Sequence, residues 1–294
     1  MSVSIDTDLD HGGRWTSLVG GGREWLWQNP DPAISAARPT AGAQFVDAGG
    51  GEECFPTVRG EPDHGALWGL RWSGTPQQAT VDHDGWSVSR SIEHGVVDHL
   101  ITGEPGRPFV HAMHLLLDLG PTARILLPDQ PEARVLGADD GDDLYGTWPV
   151  IGGVDLSRLG PGDGTATCAV LPGVTTCTIV DGHDQLHLRW RRIAGAGAGE
   201  GLILWRNLYG WPDPPYRSIG VEPMLGHTAD HSESALAARL DAEGRASWRL
   251  EVSTPPVEVS AGRRSGAGWS APRTGDPIAF EHPTRATPRR TSQE

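Results

Sequence analysis

Along most of this chain apolar residues recur at every second position, and the stretches with that period end in Gly, Pro, Asn or Asp. Residues 78–81 and 86–92 flank His83-Asp84-Gly85, and 96–101 follows at once. A strand points successive side chains to opposite faces. Alternation therefore describes strands with one buried face, and short unbroken apolar runs describe strands buried on both. Residues 14–19 and 24–28 flank Gly20-Gly21-Gly22 as a hairpin would. The series continues through 109–119, 123–127, 165–171, 175–180, 185–193, 201–208, 217–225 and 246–252. No segment sustains a period of 3.6, and only 233–240 reads as a short helix. The 40 Gly and 24 Pro among 294 residues supply the turns that so many short strands need. The expected fold is all-β, of sandwich or barrel type, in a chain long enough to bury a sizeable core.

The composition shifts near residue 259. Residues 259–294 are rich in Ser, Gly, Pro, Thr and Arg and hold six arginines against three acids. Too little apolar surface is present there to offset chain entropy, so the reading is a folded domain over 1–258 and a largely disordered tail over 259–294. Within that tail, 269–280 could dock on the body. The run Ala194-Gly195-Ala196-Gly197-Ala198-Gly199-Glu200-Gly201 lies between two strand-like segments and reads as a flexible loop. No helix follows it, so it is not a dinucleotide fingerprint.

Charge and composition exclude several kinds of protein. All 24 basic residues are arginine, which removes Schiff-base and P-loop lysine chemistry. The formal net charge of −14 argues against nucleic acid or an anionic membrane as partner. No apolar run is long enough to span a bilayer, and the opening MSVSIDTDLDHGG lacks the apolar core of a signal peptide. The expectation is a cytoplasmic protein, a monomer or weak homodimer, without cofactor. Three cysteines, Cys54, Cys168 and Cys177, make no disulfide framework; Cys168 and Cys177 flank a turn and could face each other, but buried free thiols are the simpler reading. The pairs His227/His231 and His183/His187 read as surface or core histidines before metal ligands. No metal site is expected. His111 and His114 are three apart, so in one strand they point to opposite faces. The 12 tryptophans offer flat faces suited to sugar rings, or to a core.

Three segments carry candidate chemistry. In Pro62-Asp63-His64-Gly65-Ala66-Leu67-Trp68-Gly69-Leu70-Arg71-Trp72 a histidine sits in a turn set by Gly65. Asp63 could order that turn, and Trp68 could form a stacking wall. In Phe109-Val110-His111-Ala112-Met113-His114-Leu115 two histidines interrupt an apolar strand, where a tunable ring suits a general acid. In Ile219-Gly220-Val221-Glu222-Pro223-Met224 a glutamate interrupts another. A buried carboxylate is costly unless paired, by Arg217 or Arg206 for instance, or put to use as a base.

These segments, in this order, resemble the aldose 1-epimerase (galactose mutarotase-like) family. The opening strand-turn-strand from His11 to Trp27 and the segment Gly50-Gly51-Glu52-Glu53-Cys54-Phe55-Pro56-Thr57 add to the resemblance, which spans roughly residues 10–253. It implies a β-supersandwich of two large, twisted, mostly antiparallel sheets with a sugar cleft. It implies that Glu222 is the base on the anomeric hydroxyl of an aldose, that His114 is the acid on the ring oxygen, and that His64 polarises that oxygen. His111 is an additional candidate for the acid. The family's Asn-His lead-in is here Ala112-Met113. For its substrate-gripping aspartate, Asp155 and Asp184 are the available residues. Glu53, Trp68, Arg71, Trp148 and Trp205 are expected on the cleft wall. The implied partner is a small-molecule sugar. Two alternatives stay open: a catalytically silent carbohydrate-binding or sensing protein on the same scaffold, and a hexose-phosphate epimerase using Arg14, Arg59 or Arg71.

Overall fold

In the computed structural model the described residues are 3–35, 45–137 and 141–255. They all fall in one contact unit, Met1–Val257; the tail 259–294, with its strip 269–280, lies outside the described residues. Among the described residues strand is the dominant structure and helix is almost absent, as the two-residue period implies. Its one α-helix among the described residues is the single turn Pro32–Ser35, and no described helix is long and apolar enough to cross a membrane.

Two large sheets make the body. The middle of the twelve-stranded sheet runs Arg14–Gly20, Gly51–Cys54, His111–Leu116, Tyr216–Leu225, Glu200–Trp211, Thr165–Pro172. The eight-stranded sheet is centred on Asp184–Ala194, Arg245–Ser253, Val96–Thr102 and Trp86–Glu93. Neighbours within both pair antiparallel. Between the sheets lies the main core, fed by Met113, Leu115, Leu204, Ile219 and Val221 from the first and by Val88, Val97, Ile101, Leu188 and Trp248 from the second. Alternation then sends Cys54, Ala112, Cys168, Val170, Ile203 and Met224 to the other face of the first sheet, where they form a second apolar cluster with Val58 and Ala229. Covered on both faces, His111–Leu116 is buried at all six positions.

Two sequence expectations are corrected, and for the cysteines the expected reading of buried free thiols holds. Residues 233–240 are not helical; they turn and end in the short strand Ala238–Arg239. Side chains compete for the local backbone there: Thr228 Oγ1 accepts from the Asp230 N–H, and Asp230 Oδ1 from the Ser232 N–H. The Ala/Gly run is not a free loop: Ala196–Gly197 pairs with Ala238–Arg239, and the Arg192 guanidinium donates to the carbonyls of Ala196, Gly197 and Ala198. Cys168 and Cys177 do not share a hairpin, because Thr165–Pro172 and Thr176–Asp181 belong to different sheets; all three thiols are buried and free.

The loop after Gly51–Cys54 folds back over the outer face of its sheet. Val58 and Arg59 donate to the Ala229 carbonyl, and the His64 N–H donates to the Val58 carbonyl at 2.8 Å. His64 and Gly65 are both left-handed, with φ of 58° and 72°. A Cβ on Gly65 would lie 1.9 Å from the Phe55 carbonyl oxygen. Gly65→Ala should therefore cost about 2 kcal/mol or more, combining left-handed strain with a backbone clash. An unchanged urea midpoint would show that the loop relaxes freely, against this reading.

Candidate functional site

Register decides what shares a face. His114 is the partner of Glu52 on one neighbouring strand. The pairs Ala112–Met224 and Leu115–Val221 set His114 opposite Glu222 on the other, and Glu222 in turn pairs with Ile203. Paired residues project to the same side, so Glu52, His114 and Glu222 form one row across three adjacent strands. It lies on the outer face, under the folded-back loop.

The row is buried: Glu52 is 4% exposed, His114 3% and Glu222 1%. His114 Nδ1 stands 3.4 Å from Glu222 Oε2, and its Nε2 stands 3.9 Å from Asp47 Oδ1. Both distances are long, and neither ring nitrogen nor Glu222 Oε2 has a formed hydrogen bond. Burial acts to lower the His114 pKa, but the Glu222 charge and the Cys54 sulfur beside the ring outweigh it and hold it well above the usual histidine value. Gly220 makes room for the carboxylate, since a Cβ there would lie 2.7 Å from Glu222 Oε1 and 3.0 Å from Trp205 Cβ.

His64 reaches the row from the loop. Its ring centroid is 5.2 Å from that of His114, and Phe45 stacks on it at 3.4 Å. Asp63 pairs with His64 Nδ1 at 3.1 Å. Burial raises the Asp63 carboxyl, but the His64 ring and the Arg59 charge bring it below its ordinary value.

Asp47 comes from the segment before the strand Gly51–Cys54 and accepts a hydrogen bond from Ser218 Oγ at 3.1 Å. Burial and the Asp47 charge push the Tyr216 hydroxyl pKa up. Burial also lifts the Glu52 carboxyl to about 7, against the pull of His114 and Arg14. Its Oε2 has no partner. Glu52 borders a cavity of about 10 Å³ with Trp68 and Arg14, space for about one water.

The expected residues divide cleanly. Glu222, His114 and His64 converge, with Asp63 attached to His64. Trp68 is buried beside the cluster, donating from Nε1 to the Gly65 carbonyl, and Trp205 lies on the same sheet face, donating to Ser218 Oγ. Three expected wall residues lie elsewhere. Glu53 points to the opposite face of its strand, into the core between the sheets. There its Oε1 accepts from Arg90 at 3.0 Å and from His99 at 3.2 Å, and its Oε2 accepts from His111 at 2.7 Å. Arg71 is 80% exposed and paired with Asp10, and Trp148 is packed in the main core. Asp155 caps its own turn through Ser157, and the half-exposed Asp184 meets Arg23.

His111 is likewise engaged on the inner face. Trp248 Nε1 donates to its Nδ1 at 3.0 Å while Nε2 faces Glu53, which fixes a neutral tautomer. Burial, the strongest influence, lowers its pKa.

Sequence reasoning missed Glu52, Asp47, Cys54 and Phe45 as members of the cluster. The signal for Glu52 was its even spacing from Cys54. Asp47 was visible only as an acid in the apolar run Phe45-Val46-Asp47-Ala48 ahead of a glycine turn. Two groups have metal-ligand spacing: Cys54, His64 and His114 here, and Glu53, His99 and His111 on the inner face. A larger concavity of about 660 Å³ lies over the eight-stranded sheet, away from the outer group; Arg90 and His99 are among its lining residues, and Asp98 and Arg249 already pair there.

No protein-family model matches the chain, and no curated protein matches it in sequence. Solved structures do resemble it. Protein Slr1438 from Synechocystis sp. PCC 6803 superposes with a TM-score of 0.60 at 14% identity, over 87% of this chain and 96% of that one. A protein of Escherichia coli K12 provisionally described as an aldose 1-epimerase gives 0.61 at 13%, over 85% and 96%. A galactose mutarotase-like protein from Lactobacillus casei ATCC 334 gives 0.54 at 13%, over 86% and 97%. The chain has the galactose mutarotase-like sandwich fold. At these identities the likeness shows the fold, and function has to be argued from the site.

Proposed function

We propose that this protein is an aldose 1-epimerase, interconverting the α and β anomers of a hexose or related aldose by general acid–base ring opening without a cofactor. The observation that supports the reading best is the pair His114 and Glu222, on adjacent strands of one sheet face, 3.4 Å apart and without formed hydrogen bonds at the facing atoms.

Anomer exchange needs a base for the anomeric hydroxyl and an acid for the ring oxygen, working together. Glu222 takes the hydroxyl proton. His114, kept charged beside the carboxylate, gives its proton to the ring oxygen, and the C1–O5 bond breaks as the C1 carbonyl forms. Rotation about C1–C2 presents the other carbonyl face. Closure reverses the roles, so protons and electrons balance over the cycle. Neighbouring groups that hold opposite protonation states suit such a reversible exchange. His64, fixed by Asp63, is placed to polarise the ring oxygen. Phe45 caps the cluster, so a sugar reaching it takes the place of that ring.

The test is NMR saturation transfer between α and β anomeric protons of glucose, galactose and their 6-phosphates. Exchange accelerated by the protein is expected for at least one free sugar. Sugar binding without acceleration would overturn the reading in favour of a silent binding protein, and acceleration confined to the phosphates would move it to a hexose-phosphate epimerase.

A further inference from the structure

Of the two groups with metal-ligand spacing, the inner one already has its facing atoms paired. Glu53 takes hydrogen bonds from Arg90, His99 and His111, Trp248 donates to the remaining nitrogen of His111, and the Arg90 guanidinium already supplies the cation. The outer group differs on each count. Cys54 Sγ and one nitrogen each of His64 and His114 lie within 4.8 Å of one another. Cys54 is 0% exposed and His114 3%. Both nitrogens of His114 and Nδ1 of His64 are buried without a formed hydrogen bond, Asp63 standing 3.1 Å from the latter as a charge partner. Three carboxylates, Asp47, Glu52 and Glu222, surround His114, so the cluster favours positive charge. Of the arginines, Arg14 borders the small cavity beside Glu52, and Arg59 is close enough to Asp63 to lower its carboxyl.

We propose that Cys54, His64 and His114 form a site for a thiophilic divalent cation, zinc(II) foremost, which occupies the seat of the general acid and inhibits the protein reversibly. One sulfur and two imidazole nitrogens are a donor set that zinc prefers, at about 2.3 Å to sulfur and about 2.0 Å to nitrogen. Tetrahedral coordination at those lengths needs ligand atoms about 3.5 Å apart. The ligand atoms, within 4.8 Å of one another, need close by no more than roughly an ångström, and His64, on a loop, can supply that movement. The fourth position is left to water. Binding releases the Cys54 thiol proton and the His114 imidazolium proton to solvent. The inhibitory half rests on the epimerase reading; the binding half does not.

The experiment uses the full chain with Co²⁺ as a spectroscopic probe, and Zn²⁺ in competition with a chromophoric chelator. One ion per chain is expected, with the near-ultraviolet thiolate-to-cobalt charge-transfer band. Cys54→Ser should abolish the band and weaken Zn²⁺ by about 100-fold or more, since even outer partners of ligands are worth 10–100-fold. His64→Gln, on the loop, serves as the second variant should Cys54→Ser fail to fold, and should weaken Zn²⁺ comparably. Absence of the charge-transfer band, or Zn²⁺ affinity indifferent to both variants, would overturn the site. Anomer exchange is expected to fall in step with Zn²⁺ occupancy and to return with chelator. Exchange that persists at full occupancy would overturn the inhibitory half. Metal binding with the thiolate signature, in a protein that exchanges no anomer even when metal-free, would leave the site standing and remove the epimerase reading.

Discussion

Replacing Glu222 by Gln should cut anomer exchange by about 10³-fold while leaving the fold intact, the size expected when one partner of a general acid–base pair is removed. The carboxamide matches the carboxylate in shape but cannot take the anomeric proton. Glu222 Oε2 makes no hydrogen bond that the substitution would break. A buried charge disappears, and with it its attraction for the His114 cation; the two effects oppose each other, so the urea midpoint should move little. A second effect can be read without substrate. The Glu222 anion is the largest of the influences that hold the His114 pKa up, against burial. In Glu222→Gln that support is gone, and the His114 ring should titrate at lower pH by NMR. Full exchange activity in the variant, or an unmoved His114 titration, would show that the two groups do not work as a pair.

Replacing Glu53 by Gln should cost about 3–5 kcal/mol of stability, the typical result of breaking a buried ion pair from one side. Arg90 is 3% exposed and would be left with its charge uncompensated. For a chain of this size the loss corresponds to a fall in Tm on the order of 10 °C. The pH dependence has a definite sign. Burial raises the Glu53 pKa, but His99 and His111 outweigh it and hold the carboxyl well below its ordinary value of 4.5. Its contribution is therefore complete above that value, and is lost as pH falls through the lower native one. The gap between wild type and Glu53→Gln should be widest near neutrality and narrow in acid.

Glu52→Gln, one residue away, is the internal contrast. Burial lifts the Glu52 carboxyl to about 7, so its ionisation works against folding as pH rises through that range. The variant should be as stable as wild type at low pH and more stable at pH 8. If adjacent Glu→Gln changes gave equal denaturation curves at pH 8, the assignment of these two residues to opposite faces would be wrong.

That pair of glutamates also marks the boundary between what the chain declares and what folding decides. The two-residue period and the frequency of turn formers declare strands, and runs such as 109–117, apolar but for two histidines, declare strands covered on both faces. The residues Glu222, His114 and His64 stood out because polar groups in apolar surroundings need a reason to be there. The spacing of His111 and His114 already separated them onto opposite faces, and His111 indeed lies with Trp248 in the inner core.

Which face was the site's could not be read the same way. Gly51–Cys54 is buried at all four positions, so no alternation of polar and apolar residues distinguishes Glu52 from Glu53. Only the register with His111–Leu116 does so, and it placed Glu53 in the core and Glu52 beside His114. Asp47 joins the cluster through a contact with Ser218, 171 residues away, which local pattern cannot encode. Trp148 and Arg71 were read from side-chain character, which suits a core or a surface as well as a cleft, and packing sent them there. The sequence by itself determined strand, turn and the residues capable of acid–base work. The tertiary structure decided which of them meet, because in a doubly covered strand the direction of a side chain is set by its neighbours and not by its own hydropathy.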